Sequence, residues 1–250
     1  MVKLRVKKPA FYAALCLFWT LGMNAPQAQV YSTGVAADPE VLISTHDSNP
    51  RVNLEKTLVD IKAVDAPALH SENGKTGIGT ETRYGQGIII DNSGIIATNR
   101  HIIQNAKHIY VVISGGRTFE ASILKNSRAD LCLLKINAPF PLRALVLADS
   151  SELQTGENVI AITNAGLNPQ RIKDGQVIRI YSGVTTHTVE LLEMNIPLKP
   201  GDSGGPILNK EGSLLGLIMG KQISDPGKSY AIASSRIQQE YFNYRNSILR

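Results

Sequence analysis

The sequence has little of what stabilises small extracellular scaffolds: of its 250 residues only two are cysteine, one is tryptophan and 6% are aromatic. Two cysteines exclude a disulfide framework. The 43% hydrophobic fraction is nevertheless enough for a sizeable core, and with 19% charged residues it excludes a disordered chain. No repeat of 20–50 residues and no low-complexity tract is present, which excludes a solenoid.

Acidic residues are missing from residues 1–28, which hold four of the 26 Lys and Arg residues and none of the 21 Asp and Glu residues. An apolar run, Ala10–Met23, follows these cations and is shorter than the roughly 20 residues of a membrane span. This order predicts a secretory signal peptide over residues 1–28. Cleavage after Ala28 is favoured over cleavage after Ala25, and an uncleaved membrane anchor is the alternative.

Removal of this segment leaves a nearly neutral body, with 22 basic against 21 acidic residues. We therefore expect no nucleic-acid binding, no stable membrane insertion after signal cleavage, and a periplasmic or secreted location. The processed chain would keep only Cys132, which lies in the apolar run Asp130–Ile136 and is expected in the core.

Residues 29–75 differ in pattern from the remainder of the chain. Prolines interrupt them, and the stretch Leu54–Val64 places Leu54, Leu58 and Ile61 on one helical face. The interpretation is an N-terminal arm, partly helical or disordered, before the main domain.

From Thr76 onward, short runs rich in β-branched residues alternate with Gly, Asn, Asp and Ser. Two of them, Gly87–Ile90 and Gly94–Ala97, flank a hairpin-type turn. Many short strands at this spacing predict an all-β sandwich or barrels.

The chain closes with a capping-box pattern, Ser235 to Gln238, followed by apolar residues at helical spacing: Ile237, Tyr241, Tyr244 and Ile248. A C-terminal helix that packs these residues on the β body is expected.

The stretch Gly201–Pro206 places one hydroxyl, that of Ser203, between glycines and before an apolar strand. Glycines permit a tight turn in which the N–H groups of Gly201 and Ser203 converge beside the serine oxygen, as an oxyanion hole requires. A structural turn is the simpler interpretation of this motif alone.

A serine nucleophile needs a base oriented by a carboxylate. Of the five histidines only His101 ends a strand-like run, and Asp130 opens another, Asp130–Ile136. Taken singly, His101 could be an ordinary histidine and Asp130 a strand-start cap.

Three stretches, Gly85–Ile90 before the histidine run, Ala129–Lys135 and Gly201–Pro206, together resemble the trypsin-like serine proteases, specifically the bacterial HtrA/Deg branch. The resemblance covers about residues 76–250. It implies two six-stranded antiparallel β-barrels (about 76–148 and 156–233) and a C-terminal helix (about 235–248). It also implies a triad of His101, Asp130 and Ser203, with no cofactor and no metal.

Two departures from this branch stand out. No PDZ domain is expected after residue 250, and Asp202 stands where HtrA-type proteins usually carry Asn. Asp202 looks like the residue that pairs with a freed N-terminus in zymogen-activated relatives. Only Lys75–Gly79 weakly resembles an activation site, so activation by cleavage is left as an alternative.

For substrate selection, the resemblance implies a primary pocket with Pro197 at its base and walls that include Ile218, Met219, Gly220 and Ile232. Because no acid lines this pocket, we expect a preference for apolar side chains before the cleaved bond. The backbone of Gly220 would pair with an extended substrate.

The predicted function is therefore an exported serine endopeptidase that acts on proteins or peptides. The alternative is a protease-like chaperone or peptide-binding module with a latent triad. By analogy with HtrA-type trimers, residues 29–75 could support a homo-oligomer.

Overall fold

The computed structural model describes residues 56–72, 75–163, 171–183, 189–221, 225 and 227–249. The predicted signal peptide and the first part of the predicted arm lie outside these residues.

The first half of the described chain forms a closed antiparallel barrel. In chain order the strands are β1 (Leu58–Asp65), β2 (Ala68–Glu72), β3 (Lys75–Gly79), β4 (Thr82–Asp91), β5 (Ile95–Asn99), β6 (Ala106–Val112), β7 (Thr118–Asn126) and β8 (Leu131–Ile136). The barrel has the strand order β1-β4-β5-β8-β7-β6, while β2 and β3 pair as a separate hairpin.

The second half forms another closed barrel from β9 (Asn158–Thr163), β10 (Arg171–Ser182), β11 (Val189–Met194), β12 (Pro206–Leu208), β13 (Leu214–Lys221) and β14 (Ser229–Ala233). Its strand order is β10-β11-β14-β13-β12-β9. Two short helices, α1 (Arg100–Ile103) and a 3-10 turn (Ser150–Glu152), and a longer α2 (Ser234–Ile248) complete the fold. The predicted pair of six-stranded barrels with a C-terminal helix is confirmed.

The predicted arm is wrong for residues 58–65, which form β1 of the first barrel. Val59, Ile61 and Ala63 are buried, a period of two that points one side of the strand into the barrel. Leu58 is buried as well, so that Leu58 and Ile61 also satisfy a helical spacing. The first barrel therefore begins about eighteen residues earlier than the pattern indicated.

Three hydrophobic clusters hold the barrels. One fills the first barrel, one fills the second, and the third lies between them and also takes in Ile237 of α2. Cys132 is fully buried in the first-barrel cluster, as expected, and burial raises the pKa of its thiol to about 12.

The C-terminal helix α2 contacts both barrels. In the second barrel, Nη1 of Arg236 lies 3.5 Å from the carboxylate of Glu190 on β11. In the first barrel, Ser127 donates to the Glu240 carboxylate at 2.9 Å and Tyr241 donates to Asp91 at 2.5 Å.

The capping-box prediction is wrong, because the N-cap residue is Ala233 and the backbone N–H of Ser235 bonds instead to Ser150 Oγ.

Only some of the apolar residues at helical spacing along α2 pack against the β body. Ile237 is fully buried, and Tyr241 and Tyr244 pack against the cluster between the barrels. Ile248, by contrast, is 63% exposed. No helix within the described ranges is long and apolar enough to cross a membrane.

Candidate active site

His101 lies in α1, the single helical turn that follows strand β5. The side chains of Ile102 and Ile103 are buried in the first-barrel cluster and anchor this turn. The opposite face is turned outward, so the His101 side chain is 46% exposed. The local sequence thus combines two apolar anchors with one accessible imidazole.

Asp130 meets His101 from the segment that enters β8. Its carboxylate accepts two hydrogen bonds from this one residue, from the backbone N–H at 2.9 Å and from Nδ1 at 2.8 Å. The Asp130 carbonyl also accepts the N–H of Arg100 at 2.8 Å. Asp130 has φ +57, a left-handed conformation that aspartate tolerates better than most residues. Three hydrogen bonds, two to the carboxylate and one to the carbonyl, therefore hold Asp130 against His101.

This contact sets the imidazole tautomer. An ionised carboxylate can only accept hydrogen bonds, so Nδ1 of His101 carries the proton that Asp130 receives. In the neutral ring the lone pair then resides on Nε2. His101 is chemically prepared to accept a proton at Nε2.

Ser203 lies in a turn of the second barrel that is pressed against the first. The Ser203 carbonyl accepts the N–H of Gln86, on β4, at 2.9 Å. Gly204 has φ +86, and a Cβ built on it would lie 1.9 Å from the Gln86 carbonyl oxygen. Only glycine allows this approach, which explains the Gly at this position of the motif.

The same glutamine connects the serine turn to the histidine. Thr98, near the end of β5, donates its hydroxyl to the Gln86 carbonyl at 2.7 Å. Strand β5 leads directly into α1 and His101. Gln86 thereby joins the Ser203 turn to the strand that leads into His101.

The hydroxyl of Ser203 donates to the carbonyl of Met219 at 3.3 Å. Among the hydrogen bonds within the described part of the chain, none joins Ser203 to His101. The structure thus brings His101 and Asp130 into direct contact and places Ser203 on the adjoining barrel with its hydroxyl on β13.

The predicted oxyanion donors lie in a closed turn. The N–H of Asp202 donates to the Lys199 carbonyl at 3.1 Å, and Gly201 inside this turn has φ +95. Within the described ranges, the backbone N–H groups of Gly201 and Ser203 are used in no hydrogen bond. They remain available as donors beside the serine.

The predicted substrate-pocket residues divide into two groups. Pro197 is exposed, and Met219 and Gly220 are half-buried. Ile218 and Ile232, by contrast, are 0% and 1% exposed and belong to the hydrophobic clusters. These two side chains offer no surface to a substrate.

Two residues at this site were not singled out from the sequence. Gln86 lies within a motif that carried the resemblance, between two glycines, but only the structure shows its contact with Ser203. Lys173 contacts Asp202, and no local pattern marks it. In the described part of the chain, no group of three or more His, Cys, Asp or Glu side chains could hold a metal ion.

Comparison with known proteins identifies the family. Residues 85–217, more than half of the chain, match the trypsin-like peptidase domain, and the chain therefore belongs to this family. It is 31% identical over 183 residues to the periplasmic serine endoprotease DegP of Escherichia coli, covering 69% of this chain and 39% of DegP. It is 29% identical over 170 residues to the serine protease HTRA4 of Homo sapiens, covering 64% of this chain and 34% of HTRA4. The predicted resemblance to the HtrA branch is confirmed.

The fold is also that of a solved protein structure. A structure of an HtrA-type protease with a decapeptide superposes with a TM-score of 0.62 and 20% identity, covering 72% of this chain and 60% of that chain. The chain spans only about two-fifths of the length of DegP.

Proposed function

We propose that the protein is a serine endopeptidase that uses His101, Asp130 and Ser203 as its catalytic triad. The observation that carries this proposal is the double hydrogen bond from His101 to the Asp130 carboxylate, at 2.9 and 2.8 Å. Its support comes from the Gln86–Ser203 contact, which fixes the nucleophile's turn against the barrel that bears the base.

The first half of the reaction transfers the acyl group to Ser203. Rotation about χ1 moves the hydroxyl from the Met219 carbonyl toward His101, because hydrogen bonds of this kind are often incomplete before substrate binds. Nε2 of His101 takes the hydroxyl proton while the serine oxygen bonds to the substrate carbonyl carbon. The carbonyl electrons move to its oxygen, and Asp130 stabilises the imidazolium.

The second half regenerates the enzyme. The tetrahedral intermediate collapses, the C–N bond breaks, and His101 gives its proton to the departing amine. Water then gives a proton to His101 as its oxygen attacks the acyl carbon. The bond from the acyl carbon to the Ser203 oxygen breaks, and His101 returns its proton to that oxygen, which releases the carboxylic acid and restores the Ser203 hydroxyl. No redox change occurs in either half.

The N–H groups of Gly201 and Ser203 would receive the developing oxyanion. Their freedom from other hydrogen bonds within the described ranges means that no existing contact must be broken first. Removal of one such donor typically costs about 10²–10³ in kcat.

We propose a preference for apolar side chains before the cleaved bond. The exposed or half-buried part of the predicted pocket consists of Pro197, Met219 and Gly220, which carry no charge. A peptide library in which only this position varies tests the preference, and faster cleavage after Lys or Arg than after Val or Leu would contradict it.

The experiment for the triad is active-site labelling of the full chain with a fluorophosphonate, combined with casein hydrolysis. Wild type should be labelled at Ser203. Ser203→Ala should lose the label, and its kcat should fall about 10⁶-fold. Ser122→Ala, an exposed serine on β7, is the matched control and should change neither readout. Equal hydrolysis by wild type and Ser203→Ala would refute the proposal.

The bond from Ser203 to the Met219 carbonyl favours a second candidate, a protease-like chaperone or peptide-binding module with a latent triad. In that case the fluorophosphonate would leave Ser203 unlabelled while an unfolded polypeptide still bound tightly.

We further propose that the protein works in the periplasm or outside the cell. Residues 1–28 have the pattern of an export signal, and the relative DegP is named as periplasmic. N-terminal sequencing after expression tests this, with Gln29 expected as the first residue. Homo-oligomerisation through residues 29–75 stays a prediction that a sizing measurement would test.

A further inference from the structure

Asp202, directly before the proposed nucleophile, is only 1% exposed. One of its carboxylate oxygens, Oδ2, accepts the N–H of Lys199 at 2.8 Å, and its own N–H donates to the Lys199 carbonyl at 3.1 Å. The side chain and backbone of Asp202 therefore both close the turn that carries the Gly201 donor. Whatever fixes this carboxylate also fixes the oxyanion site.

A carboxylate this deeply buried needs a compensating cation. Lys173, on β10, supplies one: its Nζ lies 3.7 Å from Asp202 Oδ2, and its side chain is 12% exposed. Within the ranges that the structure describes, no other ion pair involves Asp202. Lys173 is held in place by the barrel, because its backbone lies in β10 opposite Ala161 of β9.

The same ammonium reaches a second part of the site. Nζ of Lys173 donates to the carbonyl of Pro197 at 2.7 Å. Pro197 is the predicted base of the primary pocket, and Asp202 closes the oxyanion turn. One lysine thus joins both ends of the segment 197–202 that precedes Ser203.

We infer that Lys173 is a positioning residue that assembles the oxyanion site without an activation cleavage. This inference rests on the proposed function. The Lys173 ammonium takes the place of the freed N-terminus that the resemblance implied for Asp202. No activation cleavage is then required. The weak match to an activation site, Lys75–Gly79, is strand β3, paired with β2 along its whole length.

The test is the rate of fluorophosphonate labelling of the full chain, measured alongside the thermal unfolding midpoint. Lys173→Ala should be labelled at least 10-fold more slowly than wild type. Addition of n-propylamine, which can occupy the vacated ammonium site, should restore a large part of the rate. Lys210→Ala, whose side chain is 89% exposed in a surface ion pair, is the matched control and should keep the wild-type rate.

A second pair of variants separates charge from packing. Once Asp202→Asn has removed the buried carboxylate, the cation is no longer needed, so Lys173→Met combined with Asp202→Asn should be labelled within fivefold of Asp202→Asn alone. This comparison also decides the matter if Lys173→Ala does not fold.

The outcomes are distinct. Wild-type labelling with an unchanged rate in Lys173→Ala would overturn this inference and leave the proposed function intact. A slow Lys173→Ala that neither the amine nor Asp202→Asn corrects would also overturn it, since the lysine would then act by packing. Absence of labelling at Ser203 in wild type would refute the proposed function and this inference with it.

Discussion

Substitution of Gly204 by alanine is the sharpest test of how the serine turn is held. The new Cβ would lie 1.9 Å from the Gln86 carbonyl oxygen and 2.6 Å from its carbon, both backbone atoms that no rotamer change can move. Cβ atoms essentially never approach closer than 3.0 Å, so the turn and strand β4 must separate by about 1.1 Å.

The cost has two parts. Alanine at φ +86 pays about 1–2 kcal/mol for the left-handed conformation. The separation also stretches or breaks the Gln86–Ser203 hydrogen bond, which is worth about 1 kcal/mol net. For the reaction the displacement matters more, because moving a reacting group by about 1 Å can cost about 10² in rate.

Gly156→Ala isolates the first part. Gly156 has a similar φ of +92, but nothing lies within 4 Å of the position its Cβ would take. We expect a stability loss of about 1–2 kcal/mol in urea unfolding for this control, with wild-type labelling of Ser203. Gly204→Ala should lose at least about 1 kcal/mol more and be labelled about 10²-fold more slowly. Equal labelling of the two variants would show that the contact with Gln86 does not position the proposed nucleophile.

Three further predictions follow from single contacts. Asp130→Asn should lower kcat by about 10⁴ while preserving the fold, because an amide N–H facing Nδ1 favours the wrong tautomer, and an unchanged kcat would argue against the triad. Tyr241→Phe should lower the urea midpoint at pH 8 by removing the 2.5 Å bond to Asp91. Burial and that carboxylate raise the pKa of Tyr241 to about 12, above its unfolded value near 10, so the wild-type advantage is complete below pH 10 and lost as pH rises through 12. An advantage unchanged across that range would contradict the assignment. Because burial raises the pKa of Cys132 to about 12, iodoacetamide at pH 8 should modify it only in unfolded protein, as peptide mapping would show.

Helical and strand periodicities were hardest to separate where both fitted. Leu58 and Ile61 satisfy a helical spacing, whereas Val59, Ile61 and Ala63 satisfy a strand spacing, and both sets are buried. Pairing with β4 and β6 decides for the strand, and this pairing joins residues far apart in the chain. The capping-box prediction failed for a related reason. The N–H of Ser235 bonds to Ser150, a residue from a distant turn that no local sequence pattern indicates.

At the site, sequence motifs pointed to residue types whose chemistry depends on their immediate neighbours. The glycines around Ser203 allow its turn. The apolar residues after His101 anchor one side of the α1 turn in the core and leave the His101 side chain exposed on the other. Gln86 and Lys173 contact the serine turn from other strands, Gln86 at Ser203 and Lys173 at Asp202. No sequence pattern around either residue indicates its contact.

The sequence by itself determined the strand-rich composition, the glycine turn around the serine and the residue types needed for nucleophilic chemistry, because each depends on local conformation and side-chain chemistry. The tertiary structure decided which strand closes the first barrel, which carbonyl the serine hydroxyl contacts and which cation faces the buried Asp202. Each of these depends on bringing together segments that lie far apart along the chain, and only the closing of the two barrels selects the partners.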